Sequence, residues 1–252
     1  MAFILAGIMV GFVLGFLGAG GTVVGLPFLL LFTSLEGHPA LGTNASGVAL
    51  ISLAILGWRL FQREVRILEG VVFTLPGLIG IFAGVRLGLI FPGKQLVFLL
   101  GFVLFLIAGW MFYLSAQKPD PIRPEEASTG ERPSGKRLGL LGLSAFLVGA
   151  TAGFFAIGGG FMIVPALILA GGLSLEEAAA TALLPIALFS SLVAAAYWQA
   201  GEVEFVFSMM MFVPGLVGGM SGLWLAHRLP KQILQRAFAV LLVFIGVYFI
   251  AF

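Results

Sequence analysis

The chain has 252 residues, of which 60% are hydrophobic and only 10% are charged, and its net charge is +2. Because a soluble domain carries about a quarter charged residues, this composition excludes an ordinary soluble protein and indicates an all-α polytopic membrane protein. There is no cysteine and there are two histidines, so we predict no disulfide, no metal site and no cofactor, and the small charge gives no reason to expect a nucleic-acid partner.

Apolar segments follow one another along the chain, five on each side of a polar stretch. A helix needs about 20 residues to cross a ~30 Å hydrocarbon core, and the second segment of each half is shorter than that. The first two segments of each half are therefore either two tilted spans or a re-entrant hairpin, which gives eight to ten membrane segments. The segments cover approximately residues 2–18, 22–34, 39–61, 68–91 and 95–115, then 138–157, 160–172, 176–199, 204–226 and 232–252.

The polar stretch between the halves reads "SAQKPDPIRPEEASTGERPSGKR". It is rich in proline and charge and has little apolar content, which is typical of a flexible linker. We therefore predict a first membrane repeat at residues 1–115, a cytoplasmic linker at 116–137 and a second membrane repeat at 138–252.

The two halves are copies of one another. At an offset of 138 residues, 15–53 aligns without gaps with 153–191, and 13 of these 39 positions are identical. The stretches "PGLIGIFAGVRL" and "PGLVGGMSGLWL" keep the same offset. Roughly one identity in ten is expected by chance for so biased a composition. Such internal repeats are common in secondary transporters.

Charged residues between the segments indicate how the halves are oriented. The loop after the third segment carries Arg59, Arg63 and Arg66 in the first half, whereas its counterpart carries Glu202 and Glu204. After the fourth segment the bias reverses, and the second half is the more basic. Basic loops are retained in the cytoplasm, so equivalent loops of the two halves lie on opposite sides of the membrane.

This arrangement requires an odd number of crossings in each half, met by five spans or by three spans and a re-entrant pair. We therefore predict two inverted-topology repeats related by a pseudo-two-fold axis in the membrane plane. The 59–66 loop, the linker and the 228–236 loop are predicted to be cytoplasmic. The 202–204 loop and both chain termini are predicted to be external.

Glycines interrupt each half where the first segment meets the second. Glycine disfavours continuous helix by about 1 kcal/mol and permits positive φ, and Pro27 and Pro165 follow the two interruptions. A broken helix in a membrane exposes N–H groups that can attract an anion. The alternative is that the glycines only allow a tight turn or close packing. The substrate-binding residues predicted at the two breaks are Gly20, Gly21, Thr22, Gly158, Gly159 and Gly160.

Polar residues recur at equivalent positions of the third segment. Thr43 and Thr181 lie about one turn inside it, with Asn44 beside the first of them. We predict that these three side chains line the substrate site. Ser52 and Ser190 recur further along. For the two serines, substrate contact and a hydrogen bond to their own or a neighbouring helix are equally good interpretations.

Two further features favour a structural role or leave the role open. Arg86 is a charged residue inside a predicted span; it either extends its long side chain to the membrane surface or attracts an anion. Glycine pairs at equivalent positions of the two halves have GxxxG spacing, which predicts close helix packing rather than substrate binding. They are 11/15, 80/84, 149/153 and 218/222.

Together these motifs resemble the TauE/SafE family of sulfite exporters and related anion transporters. The resemblance rests on "GFLGAGGTVVGLPFLLL" with "GHPALGTNASGVALISL", and on "GFFAIGGGFMIVPALIL" with "LSLEEAAATALLPIALFSS". It implies transport of small sulfur-containing anions such as sulfite, sulfonates or sulfoacetate through the plasma membrane. It also points to a site made of Gly20, Gly21, Thr43, Gly158, Gly159, Gly160 and Thr181.

The residues themselves fit a secondary transporter rather than an enzyme. The predicted core contains no Asp or Glu and the chain has no ATP-binding motif, so a small anion moved by alternating access around the two breaks is the hypothesis. The expected partners are that anion and the lipid bilayer; a coupling ion (H+ or Na+) and a homo-oligomer stay open. The alternatives are a non-transporting membrane subunit or scaffold of an enzyme complex, an intramembrane enzyme, or a transporter of another small solute.

Overall fold

The structure is a computed structural model that describes residues 2–18, 20–33, 35–116, 135–226, 228, 240 and 243–248. Most of the predicted linker and of the last predicted segment lie outside these residues. The described part is helical and contains no strand, which confirms the all-α fold. Its helices are α1 (Ala2–Leu17), α2 (Gly21–Phe32), α3 (His38–Phe61), α4 (Ile67–Ile90), α5 (Gly93–Ala116), α6 (Gly135–Phe154), α7 (Gly160–Leu169), α8 (Leu175–Gln199) and α9 (Phe205–Ala226).

By length and composition, α3, α4, α8 and α9 can each cross a membrane. At ~1.5 Å per residue each is more than 30 Å long. The outer faces of α4 and α9 carry exposed apolar side chains, including Ile79 at 67% and Val213 at 65% exposure. Because water would disfavour such faces, they are suited to contact lipid. The chain is therefore a membrane protein, and α3 and α8 form its most buried part.

Glycines allow helices of one half to pack directly on helices of the other. A methyl group on Gly11 would overlap the carbonyl of Gly215, and a methyl group on Gly149 would overlap the carbonyl of Gly77. These contacts join α1 to α9 and α6 to α4, the first helix of each half to the fourth of the other. The packing role of the GxxxG pairs is confirmed.

The contacts also define helix directions. Along α1, Gly7 and Gly15 pack on Met211 and Gly219 respectively, so α1 and α9 run parallel. The start of α3 at Gly42 lies against the end of α8, so the two central helices run antiparallel. The equivalent helices α3 and α8 thus run in opposite directions; the inverted-repeat arrangement of the two halves and their orientation in the membrane stay predictions.

The central helix α8 begins at a capping box. The Ser174 hydroxyl accepts the N–H of Glu177 at 3.3 Å, and the Glu177 carboxylate accepts the N–H of Ser174 at 3.1 Å. These two bonds satisfy amide groups that a helix start otherwise leaves without partners. The first turn of α8 is therefore fixed beside the loop that follows α3.

Candidate functional site

The first glycine break is the tip of a helical hairpin. Gly21 lies against Leu14 and Gly25 against Val10, so α2 turns back along α1. Between the helices, φ is +65° at Gly18 and +82° at Gly20, a left-handed conformation that costs other residues ~1–2 kcal/mol. With 12 residues, α2 is about 18 Å long and too short to cross a ~30 Å core alone.

The second break has the same form. The Thr151 hydroxyl lies 3.5 Å from the sulfur of Met162, so α7 turns back along α6. At the tip, φ is +59° at Gly158 and +72° at Gly159, and Ala156 is also left-handed with φ of +55°. The glycines therefore serve the tight-turn role in both halves, and they also leave the first N–H groups of α2 and α7 without helical partners.

The structure buries the entire predicted site. Each of the eleven residues is closed to solvent in this conformation, so the polar atoms among them contact only protein or enclosed space. The eleven are Gly20, Gly21, Thr22, Thr43, Asn44, Ser52, Gly158, Gly159, Gly160, Thr181 and Ser190.

At the first break, Asn44 reaches from α3 to the start of α2. Its Nδ2 donates to the backbone oxygen of Thr22 at 2.6 Å. The remaining polar atoms, Asn44 Oδ1 and Thr22 Oγ1, are buried without a hydrogen-bond partner. Because an unmatched buried polar atom costs about 1–3 kcal/mol, this pair is a candidate position for a ligand.

At the second break, Ser190 is the corresponding polar group. Its hydroxyl is fully buried, has no hydrogen-bond partner and lies directly against Gly158. Its equivalent, Ser52, instead donates to the carbonyl of Ala49 in its own helix at 3.1 Å. Of the two serines, only Ser190 therefore has an unused hydrogen-bond donor.

The two breaks contact α8 at different positions along its length. Gly18 contacts Ala179 near the start of α8, whereas Gly158 contacts Ser190 further along. These α8 residues are about 16 Å apart along the helix. Helices α2 and α7 contact each other, so the two sets of polar residues lie on adjacent elements but approach from opposite ends of α8.

The two predicted threonines connect the halves to one another. The Thr43 hydroxyl accepts the N–H of Glu204 at 2.9 Å, and the Thr181 hydroxyl accepts the N–H of Arg66 at 3.0 Å. Donors and acceptors in the two bonds are equivalent residues of the two repeats. Each threonine thus holds the start of the fourth helix of the other half, and its predicted contact with substrate stays untested.

An ion pair adds to one of these two links. Arg66 donates to a single Glu177 oxygen from Nε and Nη2, at 2.8 and 2.6 Å. This hydrogen bond raises the pKa of the Arg66 guanidinium above its ordinary value. The arginine is therefore charged at any physiological pH, and it joins the start of α4 to the first turn of α8.

One arginine lies in a setting that the sequence did not indicate, and a second favours one of the two alternatives left open for it. Arg59, assigned to a cytoplasmic loop, is in the last turn of α3 with its side chain only 7% exposed and paired with Glu64 at 2.7 Å. The pairing of Arg59 with Glu64 could not be predicted from helical spacing, because Glu64 lies beyond the helix, after a turn at Arg63 with φ of +60°. Arg86 lies exposed on α4 with its guanidinium 4.2 Å from the Phe82 ring centre, which favours extension towards the membrane surface.

The described residues contain no group of three or more His, Asp or Glu side chains that could hold a metal ion. Their buried polar side chains are hydroxyls, one amide and one guanidinium, with no carboxylate among them. The arrangement offers hydrogen-bond donors and one positive charge, which is the chemistry that binds oxyanions.

Comparison with known proteins gives concordant results. The chain is similar over 248 residues to a probable membrane transporter protein of Xylella fastidiosa (34% identical, covering 97% of this chain and 92% of the relative). It is also similar to the probable membrane transporter protein YdhB of Bacillus subtilis (27% identical, covering 94% of each chain). No solved structure matches. The sulfite exporter TauE/SafE family matches residues 3–249, so the chain belongs to that family of membrane transporters.

Proposed function

We propose that the protein is a secondary transporter of small sulfur-containing anions of the sulfite, sulfonate and sulfoacetate class in the plasma membrane. Family membership and the names of the relatives support transport. The absence of carboxylates among the described buried side chains supports an anion rather than a cation as substrate.

One observation supports the site more than any other. Thr22 Oγ1, Asn44 Oδ1 and Ser190 Oγ are buried at the two glycine breaks without hydrogen-bond partners. The two hydroxyls can donate to an oxyanion, as can the free N–H groups at the starts of α2 and α7. An anion at either break would therefore accept from a hydroxyl that the protein leaves unmatched, Thr22 at the first break or Ser190 at the second; Asn44 Oδ1 can only accept and would not bind an anion.

Alternating access supplies the mechanism. Because the predicted site is closed in this conformation, substrate can enter only after a rearrangement that opens one side. The helices pack across the two halves through glycine contacts and the threonine hydrogen bonds. Movement of one repeat against the other would break the hydrogen bond at one of the two threonines while preserving the bond at the other.

The test is flux of radiolabelled sulfite in proteoliposomes, compared with sulfate, thiosulfate and sulfonates as competitors. Wild-type protein should carry sulfite, and Ser190→Ala should lower kcat/KM on the order of tenfold, the effect of losing one hydrogen bond to an anion. The control is Ser191→Ala, because the Ser191 hydroxyl already donates to Ala187 in its own helix at 2.7 Å.

Two results would contradict the proposal. Wild-type protein that moves none of these anions would remove the transport function and favour a membrane subunit or scaffold, or another solute. A Ser190→Ala variant with wild-type kinetics would remove Ser190 from the substrate site while leaving transport in place.

A further inference from the structure

Arg59 is a buried positive charge close to the first glycine break. Its Nη1 donates to Glu64 at 2.7 Å, its Nη2 lies 3.5 Å from the backbone oxygen of Gly15, and its Nε is buried without a partner. Among the arginines whose side chains the structure describes, this is the one that is buried; Arg63, Arg66, Arg86 and Arg228 are exposed.

A helix-capping role accounts for only part of this geometry. A cation in the last turn of a helix is stabilised by the helix dipole, and Arg59 occupies that turn of α3. However, a capping arginine gains most by keeping its head group in water. This one is turned instead towards α1, against the carbonyl of Gly15, five residues before the left-handed Gly20.

Burial of a guanidinium is costly unless its donors are satisfied. Arginine has five N–H donors arranged to bind an oxyanion through two parallel bonds. The contacts of Arg59 consist of one short bond to a carboxylate and one long bond to a carbonyl. The guanidinium therefore retains unused donor capacity, at Nε above all.

Glu64 is the more exposed partner of the pair. Its side chain is 26% exposed, against 7% for Arg59, and it lies in the turn after α3 rather than in a helix. A carboxylate binds a guanidinium through the same oxygen geometry as other small oxyanions. Glu64 can therefore leave Arg59 towards solvent and be replaced there by a substrate.

We infer that Arg59 is the positive charge that binds the transported anion at one end of its path, with Glu64 occupying that charge when substrate is absent. This inference rests on the proposed transport function. It places an anion-binding residue beside the last turns of α1, near the tip of the α1–α2 hairpin. Along α3, Arg59 is about 22 Å from Asn44, so this position is separate from the polar pair of Thr22 and Asn44.

The experiment compares Glu64→Gln, Arg59→Gln and the double variant Arg59→Gln/Glu64→Gln, with Arg63→Gln as the control for an exposed neighbouring charge. Each is assayed for sulfite flux in proteoliposomes and for melting temperature in detergent with and without sulfite. Glu64→Gln removes the competing carboxylate and should lower the apparent KM several-fold. Arg63→Gln should retain wild-type kinetics.

The double variant separates binding from structure. Arg59→Gln alone leaves Glu64 without its partner, whereas the double variant contains neither charge and should melt closer to the wild type. It should still transport on the order of tenfold less efficiently, and sulfite should no longer raise its melting temperature.

Each remaining outcome contradicts the inference. If the pair is only structural, the double variant will regain wild-type flux. If the double variant does not fold, the kinetics of the Glu64→Gln variant provide the test. An unchanged or higher KM for sulfite then overturns the role of Arg59. A wild-type protein that transports no anion contradicts the proposed function itself, which these variants do not test.

Discussion

At the residue scale, Gly158 combines two reasons for being glycine. Its φ is +59°, and a Cβ atom there would overlap the Ser190 hydroxyl. We expect Gly158→Ala to lower the free energy of unfolding in detergent by about 1–2 kcal/mol, from the left-handed backbone alone, and to reduce transport. The control is Gly57→Ala in α3, where a Cβ would meet no atom within 4 Å.

The control substitution should change the free energy of unfolding in the opposite direction. Alanine is favoured over glycine inside a helix by about 1 kcal/mol, so Gly57→Ala should raise stability and preserve flux. Equal effects of the two substitutions on the melting temperature would show that the tip conformation contributes nothing specific.

Sequence could identify residues whose signal is local. The glycines of the breaks and the recurring Thr and Ser positions were visible because each follows from the repeat or from glycine chemistry. The burial of Arg59 was not visible in the sequence, because it depends on α1 packing beside the end of α3. The hydrogen bond between Thr43 and Glu204 was not visible either, because these residues are 161 positions apart in the chain.

At the element scale, the two threonine links predict a paired substitution effect. Thr181→Val removes the acceptor for the N–H of Arg66, and Thr43→Val removes the acceptor for the N–H of Glu204. Both bonds are only partly buried, so the loss of each should cost about 1 kcal/mol and lower the melting temperature in detergent.

The matched controls are Thr43→Ser and Thr181→Ser, which keep the hydroxyl acceptor and should retain most of the stability. If the valine and serine variants of each position are equally stable, the hydroxyls do not hold the fourth helices in place. If the serine variants are stable but lose transport, the missing methyl group contributes to substrate contact.

The helices of the first nine predicted segments lie within three residues of the predicted bounds, because apolar length defines them. Sequence does not decide between two spans and a hairpin, since length shows that α2 is short but not which way it turns. The early end of α6 at Phe154 was also missed, because the left-handed Ala156 carries no sequence signal.

At the scale of the whole molecule, the inverted orientation can be tested directly because the chain contains no cysteine. Single cysteines at Arg63 and Glu202 should react with a membrane-impermeant thiol reagent from opposite sides in oriented vesicles, with Arg63→Cys accessible from the cytoplasm. Both positions lie next to helix ends, in turns after α3 and α8. Labelling of both from one side would contradict the two-fold arrangement.

The ion pair between Arg66 and Glu177 has no counterpart in the other half, where the equivalent positions are Glu204 and Pro39. Separating α4 from α8 therefore breaks a charged contact as well as a hydrogen bond, whereas separating α9 from α3 breaks hydrogen bonds alone. Such a half-exposed pair contributes about 0–1 kcal/mol, or up to about fivefold in relative occupancy. In the proposed alternating-access cycle, two repeats with the same backbone would therefore have a resting state biased to one face, and salt that screens the pair would reduce that bias.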